Sequence, residues 1–278
     1  RNSNPDNASL QNIEFEAAKN LFFNQAYQES ISSFQRFLQN YPESGQVHEA
    51  NYFIGDAYYR LGDRDNALQY FYKLEESSQQ SRAIQKIAEI EFENGNYQKA
   101  IPYFIRSSGS ARNKLEEYEA YKGLMESYYN TSAFDSAVHY ADRVIELGNI
   151  TADSESVALL IKAKSLLEQE KIQEAEDALI SLVNDYKNIQ GAEGLYLLAL
   201  NFHEQKQYTQ SNETIFDFSG PFGVYDFWYG KNFILLAKNY VELGEAFQAK
   251  ATLESIVEKS ANESIKKEAA EMLNSLNQ

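Results

Sequence analysis

The feature that most constrains this chain is a spacing. A small residue recurs at Ser30, Ala67, Ala100, Ala137, Ala175, Ser211 and Ala249, at intervals of 37, 33, 37, 38, 36 and 38 residues. Twelve positions before each stand Ala18, Gly55, Ala88, Met125, Ala163, Ala199 and Ala237, of which only Met125 is large. Three positions after those come Leu21, Tyr58, Glu91, Tyr128, Leu166, Phe202 and Tyr240. Small side chains let two helices approach closely where they cross, and large neighbours fill the grooves beside the crossing. The pattern therefore predicts a row of helix hairpins, with turns at Gly62-Asp63, Gly95-Asn96 and Gly244. A single hairpin cannot bury its apolar face alone, so units of this kind stack and each covers its neighbour.

The small-large-small order resembles the tetratricopeptide repeat family, most closely in "NQAYQESISSFQRFLQNYP" with Tyr27, Ser30, Phe34 and the closing Pro42. The likeness runs over nearly the whole chain. It departs in two respects: most spacings exceed the family period of about 34 residues, and only the first unit ends in proline. The resemblance implies an all-α fold, a right-handed α-solenoid of about seven hairpins. Their expected spans are residues 13–44, 46–79, 81–112, 114–149, 153–187, 190–222 and 226–261. A capping helix is expected over 262–278, where Ile265, Ala269, Leu273 and Leu276 form one apolar stripe. Residues 1–12 are polar and read as a disordered tail or linker. Pro102 falls early in a second helix.

Charge and composition narrow the function. The formal charge is 25 − 41 = −16, which repels phosphate backbones and anionic lipid, so nucleic acid is not an expected partner. Basic or neutral protein partners are favoured. No apolar run reaches the 18 or so residues of a membrane span, so direct membrane insertion of this stretch is not expected. There are no cysteines, and the three histidines, His48, His139 and His203, fall in three different units without metal-ligand spacing. No phosphate-cradling glycine loop or nucleophile elbow occurs. The expectation is a protein that is not an enzyme and has no cofactor and no metal. Because the chain begins at Arg1 rather than methionine, it reads as a processed or excised piece, which leaves a signal or lipid-anchor segment upstream an open expectation.

In the tetratricopeptide family the first helix of each hairpin lines a concave groove, and the resemblance assigns groove positions here. In the N-terminal half they include Tyr52, Tyr59, Phe92 and Tyr129, an aromatic stripe among acids; in the C-terminal half, Leu160, Lys164, Tyr196, Phe227, Trp228, Lys231, Ile234, Lys238 and Val241. Some relatives clamp an acidic C-terminus with lysine and asparagine at two of these positions. The matching pairs here, Phe15 and Lys19, Tyr52 and Asp56, Gln85 and Glu89, include two acids, which would repel a carboxylate terminus.

One stretch stands apart: "FDFSGPFGVYDFWYGKNF", residues 216–233, holds eight aromatic residues and the only tryptophan. Phe216, Phe218, Tyr229 and Phe233 are expected to close the junction between the sixth and seventh hairpins. Phe222, Tyr225, Phe227 and Trp228 exceed what one junction needs and are candidates for a binding cluster. The segment from "SFQRFLQNYPES" through "ANYFIGDAYYRLGD" looks like bacterial cell-envelope members of the family. That likeness implies a periplasmic or outer-membrane-associated scaffold, with a cytoplasmic location as the alternative. Three readings follow: an envelope scaffold binding a protein segment, a structural spacer or oligomerisation module in a longer array, and a sensor that binds a small peptide.

Overall fold

Every hairpin turns on one residue in the left-handed region of backbone space. The seven are Gln25, Gly62, Gly95, Ser132, Glu170, Lys206 and Gly244, with φ between 57° and 81°. Each is followed by a backbone N–H that reaches back over five residues to a carbonyl of the first helix, as in Ala26 to Leu21, Asp63 to Tyr58 and Glu245 to Tyr240, at 2.8–2.9 Å. This bond satisfies a carbonyl that the ending helix leaves open and reverses the chain. Glycine adopts the conformation without cost at three turns; at the other four a side chain is carried through it.

The structure, a computed structural model, describes residues 5–276, with side chains from Ser9 onward apart from Phe218. Among the described residues there are fifteen α-helices and no strand, apart from one 3-10 turn at Gly220–Phe222. The chain forms two compact units, Arg1–Ala133 and Phe134–Gln278. The first contains α1 (Pro5–Phe23), α2 (Tyr27–Asn40), α3 (Val47–Arg60), α4 (Arg64–Tyr72), α5 (Gln80–Glu93), α6 (Tyr97–Gly109) and α7 (Lys114–Asn130). The second contains α8 (Phe134–Leu147), α9 (Ser154–Glu168), α10 (Ile172–Asp185), α11 (Ile189–Glu204), α12 (Tyr208–Phe218), α13 (Asp226–Glu242), α14 (Ala246–Lys259) and α15 (Glu263–Leu276).

One expectation is corrected at the start of the chain. The polar stretch read as a disordered tail through residue 12 is helical from Pro5. Proline suits a first helical position because its missing N–H would have no partner there, and the turns that follow hold on through the bond from Gln46 Nε2 to Asn12 Oδ1, 3.0 Å. Residues 1–4 of that tail lie outside the described residues. Pro102 sits within α6, which runs through it without a break.

In the first unit the core begins with Phe15, Phe34, Phe37 and Phe53, all buried. Phe15 meets Phe34 and Phe37 edge-on at 5.5 and 5.4 Å, while Phe34 stacks on Phe53 at 5.4 Å. Each such ring, fully buried, contributes about 2–3 kcal/mol. The recurring small residues lie under these rings: a Cβ on Gly55 would stand 2.9 Å from the Phe71 ring. Glu91, the acid among the large positions, is also buried, and its two oxygens accept from the Tyr72 hydroxyl at 2.6 Å and the Asn96 amide at 2.7 Å.

The second unit packs by the same rule. Where serine replaces alanine at the crossing, its hydroxyl donates to the carbonyl of the small residue twelve before it: Ser211 to Ala199 at 2.7 Å and, in the first unit, Ser30 to Ala18 at 2.9 Å. Buried Asn239 of α13 ties α11, α12 and α13 together. Its Nδ2 donates to Ser211 Oγ and to Asn212 Oδ1, both 2.8 Å. That leaves Asn239 Oδ1 as the acceptor for His203 Nδ1 at 2.6 Å, so the proton sits on Nδ1 of that imidazole. Helix α15 closes the unit: Ile265 and Ala269 are buried, and Ile265 lies so close over α13 that a Cβ on Gly230 would come within 2.4 Å of it.

Candidate protein-binding surfaces

The residues assigned to a groove do not share one fate. In the first unit Tyr52 is buried at 5% exposure, packed at 5.5 Å against Phe71 and covered by the Arg82 guanidinium 3.8 Å above its ring. The expectation that it lines an open groove is corrected: two neighbouring helices enclose it. Tyr59 and Phe92 are half-buried on α3 and α5. Burial, and then a 2.7 Å bond to Glu93, pushes the Tyr59 phenol up to about 12. Phe92 forms part of a cleft described below, and Tyr129 is half-buried near the end of α7.

In the second unit Leu160 and Ile234 are buried, at 7% and 2% exposure. Ile234 packs with Leu253, Ile265 and Ala269 beneath the closing helix, so it too is core rather than groove. Lys164 is paired with Glu193. Lys231 is paired with Glu268 of α15 at 3.0 Å and lies 5.7 Å above the Tyr196 ring. Two of the three cations expected to meet a partner are thus already matched inside the chain. Lys238 and Val241 are exposed.

The aromatic stretch divides as the sequence did not anticipate. Phe222, expected in a binding cluster, is 1% exposed and plugs a core of Val183, Ala192 and Leu195. It fits because Gly191 leaves room; a Cβ there would meet the ring at 3.0 Å and the Tyr186 carbonyl at 2.0 Å. Tyr225 and Trp228 lean on the same core half-buried, and Trp228 also meets Tyr196 at 5.8 Å. Phe227 is 41% exposed and edge-on to Trp228 at 5.0 Å. Phe216, expected to close a junction, is instead 55% exposed, while Phe218 lies outside the described side chains. Tyr229 and Phe233, 4.6 Å apart, line a cleft of about 470 Å³ between α13 and α14.

A further site lies between α5 and α7, around Phe92, which was read as a groove position. Phe92, Phe104, Ala120 and Gly123 line a cleft of about 350 Å³ with Glu89, Glu93, Glu119, Glu126 and Lys122. Gly123 lets the Phe104 ring lie against α7, since a Cβ there would fall 2.3 Å from that ring. Burial raises the Glu126 carboxyl above its usual range, opposed by Lys122. Burial also raises Glu119, helped by the charge of Glu89 across the cleft. Gln85, Glu89 and Phe92 were read as groove positions, but the glycine that admits the Phe104 ring belongs to no marker position of the repeat.

Comparison with known proteins agrees with this architecture. Tetratricopeptide repeat models match residues 15–82 and 233–262, so these two stretches are tetratricopeptide repeats. Its fold is similar to the C-terminal part of a TPR repeat-containing protein from Cytophaga hutchinsonii, with a TM-score of 0.64 and 17% identity, over 91% of this chain and 98% of the other. It is also similar to a tetratricopeptide repeat protein from Parabacteroides merdae, with a TM-score of 0.55 and 15% identity, over 96% of this chain and 99% of the other. No curated protein matches the sequence. Among the described residues no helix is long and apolar enough to cross a membrane.

Proposed function

We infer that this chain is a non-catalytic interaction scaffold that binds a protein segment along the faces of its first helices, within a bacterial envelope assembly. Tetratricopeptide folds generally serve as such scaffolds, and that supports the broad reading. The observation that carries the finer one is the set of aromatic side chains left half-buried or exposed on first helices, Tyr59 and Phe92 in one unit, Phe227 and Trp228 in the other. Such rings, rigid and partly desolvated, carry much of the energy of protein interfaces. The envelope placement, periplasmic or outer-membrane-associated, is supported by the likeness of the Tyr41-Pro42 turn and the following "ANYFIGDAYYRLGD" helix to envelope members of the family.

A second reading is favoured by a specific observation. Tyr52, Leu160 and Ile234 are enclosed, and Lys164 and Lys231 are paired within the chain, as in a spacer whose inner face only packs. Photo-crosslinking separates the two. Benzoylphenylalanine placed at Phe227 or Tyr59 is expected to give partner adducts in native extract, and at Phe247 or Ile180, exposed on second helices, to give none. Adducts at all four positions or at none would favour the spacer. Recovery of the native protein in the cytosolic fraction of its host would overturn the envelope placement.

A further inference from the structure

We propose that the cleft between α5 and α7 receives the lysine or arginine side chain of a basic protein segment. The proposal rests on the reading of this face as a protein-binding surface and gives its partner a chemistry.

The charges around the cleft do not balance. Glu89 is met by Lys86 at 2.6 Å and Glu93 by Arg64 at 2.9 Å. Among the described residues Glu119 accepts only from the neutral Gln85 amide, 3.0 Å, and the cation that acts on it, Lys86, is the one already paired with Glu89. Among the described residues Glu126 accepts no side-chain hydrogen bond and joins no ion pair, and the cation that acts on it, Lys122, belongs to the same helix. A carboxylate drawn partly out of water with no donor of its own is stabilised by any cation that enters. Among the described residues no three histidine or acidic side chains are grouped to hold a metal ion, so the geometry favours an organic cation.

The floor of the cleft selects how that cation is carried. Half-buried Phe92, with Phe104 behind it at 6.2 Å, lines the cleft together with the carboxylates. A lysine or arginine lays its apolar stem on such rings while its head reaches the acids, a division of labour that its amphipathic shape allows. The surroundings also speak for a peptide over a free polyamine. Through Gln85 and Ser107 the cleft adjoins a smaller polar hollow of about 80 Å³, lined by Arg82 and Arg112 against one acid, Glu116. A ligand cationic along its whole length would meet those two arginines, whereas a peptide places one cation in the cleft and neutral backbone or an acid beyond it. The overall charge of −16 favours the approach of such a segment and opposes a second copy of this chain.

The test is a heptapeptide display selection on the full chain and on a Glu119→Gln, Glu126→Gln double variant of matched helicity. Selected peptides are then synthesised with a fluorescent label and with their basic residue replaced by norleucine, which keeps the stem and removes the charge. The expected result is a lysine or arginine fixed at one position, at least tenfold weaker binding to the double variant, and a similar loss with norleucine. The norleucine arm keeps the outcome decisive if the double variant folds poorly. Peptides without a fixed basic residue, or indifferent to both changes, would overturn the proposal while leaving a protein-binding face intact. Failure to select any peptide would sink both. Spermidine binding as tightly as the selected peptide would overturn the assignment to a protein segment.

Discussion

The two units were built from the same repeat, yet they treat their first-helix faces differently. In the second unit two groove cations are matched, Lys164 by Glu193 and Lys231 by Glu268, and the aromatic surplus is drawn inward, with Phe222 plugging the core and Tyr225 and Trp228 resting against it. In the first unit a cleft keeps two carboxylates, Glu119 and Glu126, that form no ion pair among the described residues. A repeat position thus tells which way a side chain points. It does not tell whether a neighbour has already claimed it.

The sharpest way to break this contrast is at the two glycines. Gly191→Ala in the second unit drives a Cβ to 2.0 Å from the Tyr186 backbone carbonyl, which cannot step aside. A loss of about 3 kcal/mol is expected. Gly123→Ala in the first unit meets only the edge of the Phe104 ring at 2.3 Å, and a tilt of that ring limits the loss to about 1 kcal/mol. Urea denaturation of both variants reads the difference, and equal losses would mean that the cleft is as rigid as the core.

Next come the crossing serines. Ser30→Ala restores the alanine that other hairpins use and removes one hydrogen bond, for an expected loss of about 1 kcal/mol. Ser211→Ala also deprives buried Asn239 of an acceptor, so about 2 kcal/mol is expected. A thermal melt that ranks them the other way would show that the Asn239 network adds nothing in the second unit.

The smallest effect is electrostatic and carries a sign. Burial makes Glu126 bind its proton more tightly in the folded chain than a free glutamate does. The folded state therefore holds the proton longer than the unfolded one, and stability falls as pH rises through this range. Glu126→Gln is expected to melt above the parent protein at neutral pH, with the gap closing as pH falls toward about 4.5. Glu268→Gln in the second unit breaks a partly exposed ion pair and is expected to melt slightly lower, by under about 1 kcal/mol. Melting curves across pH for both variants test whether the first unit alone carries uncompensated charge.

Much of the fold was legible because its determinants are local. The alanines at the crossings are fully buried, from Ala18 to Ala249, and small residues at a fixed spacing announce a close crossing directly. Three turns were legible because glycine marks them. The turns at Gln25, Ser132, Glu170 and Lys206 were not, since the same geometry is imposed there by the helices on either side. Helix α1 was missed before residue 13 because its first turns are polar. The groove was half legible. Burial of Ile234 and pairing of Lys231 depend on where α15 lands, and one wall of the cleft depends on Gly123 admitting a ring from α6; neither contact leaves a mark in the periodicity.

The close seat of Ile265 over Gly230 has a consequence for time rather than for shape. A stack of hairpins opens from its ends, because an end unit is held by one neighbour only. Here the last hairpin is held shut by a helix whose β-branched side chain rests against a residue without one, so opening must first lift α15 as a whole. Amide hydrogens of α14 should therefore exchange slowly and together with those of α15, as one cooperative unit, and Gly230→Val would turn that single step into a gradual fraying from the C-terminal end.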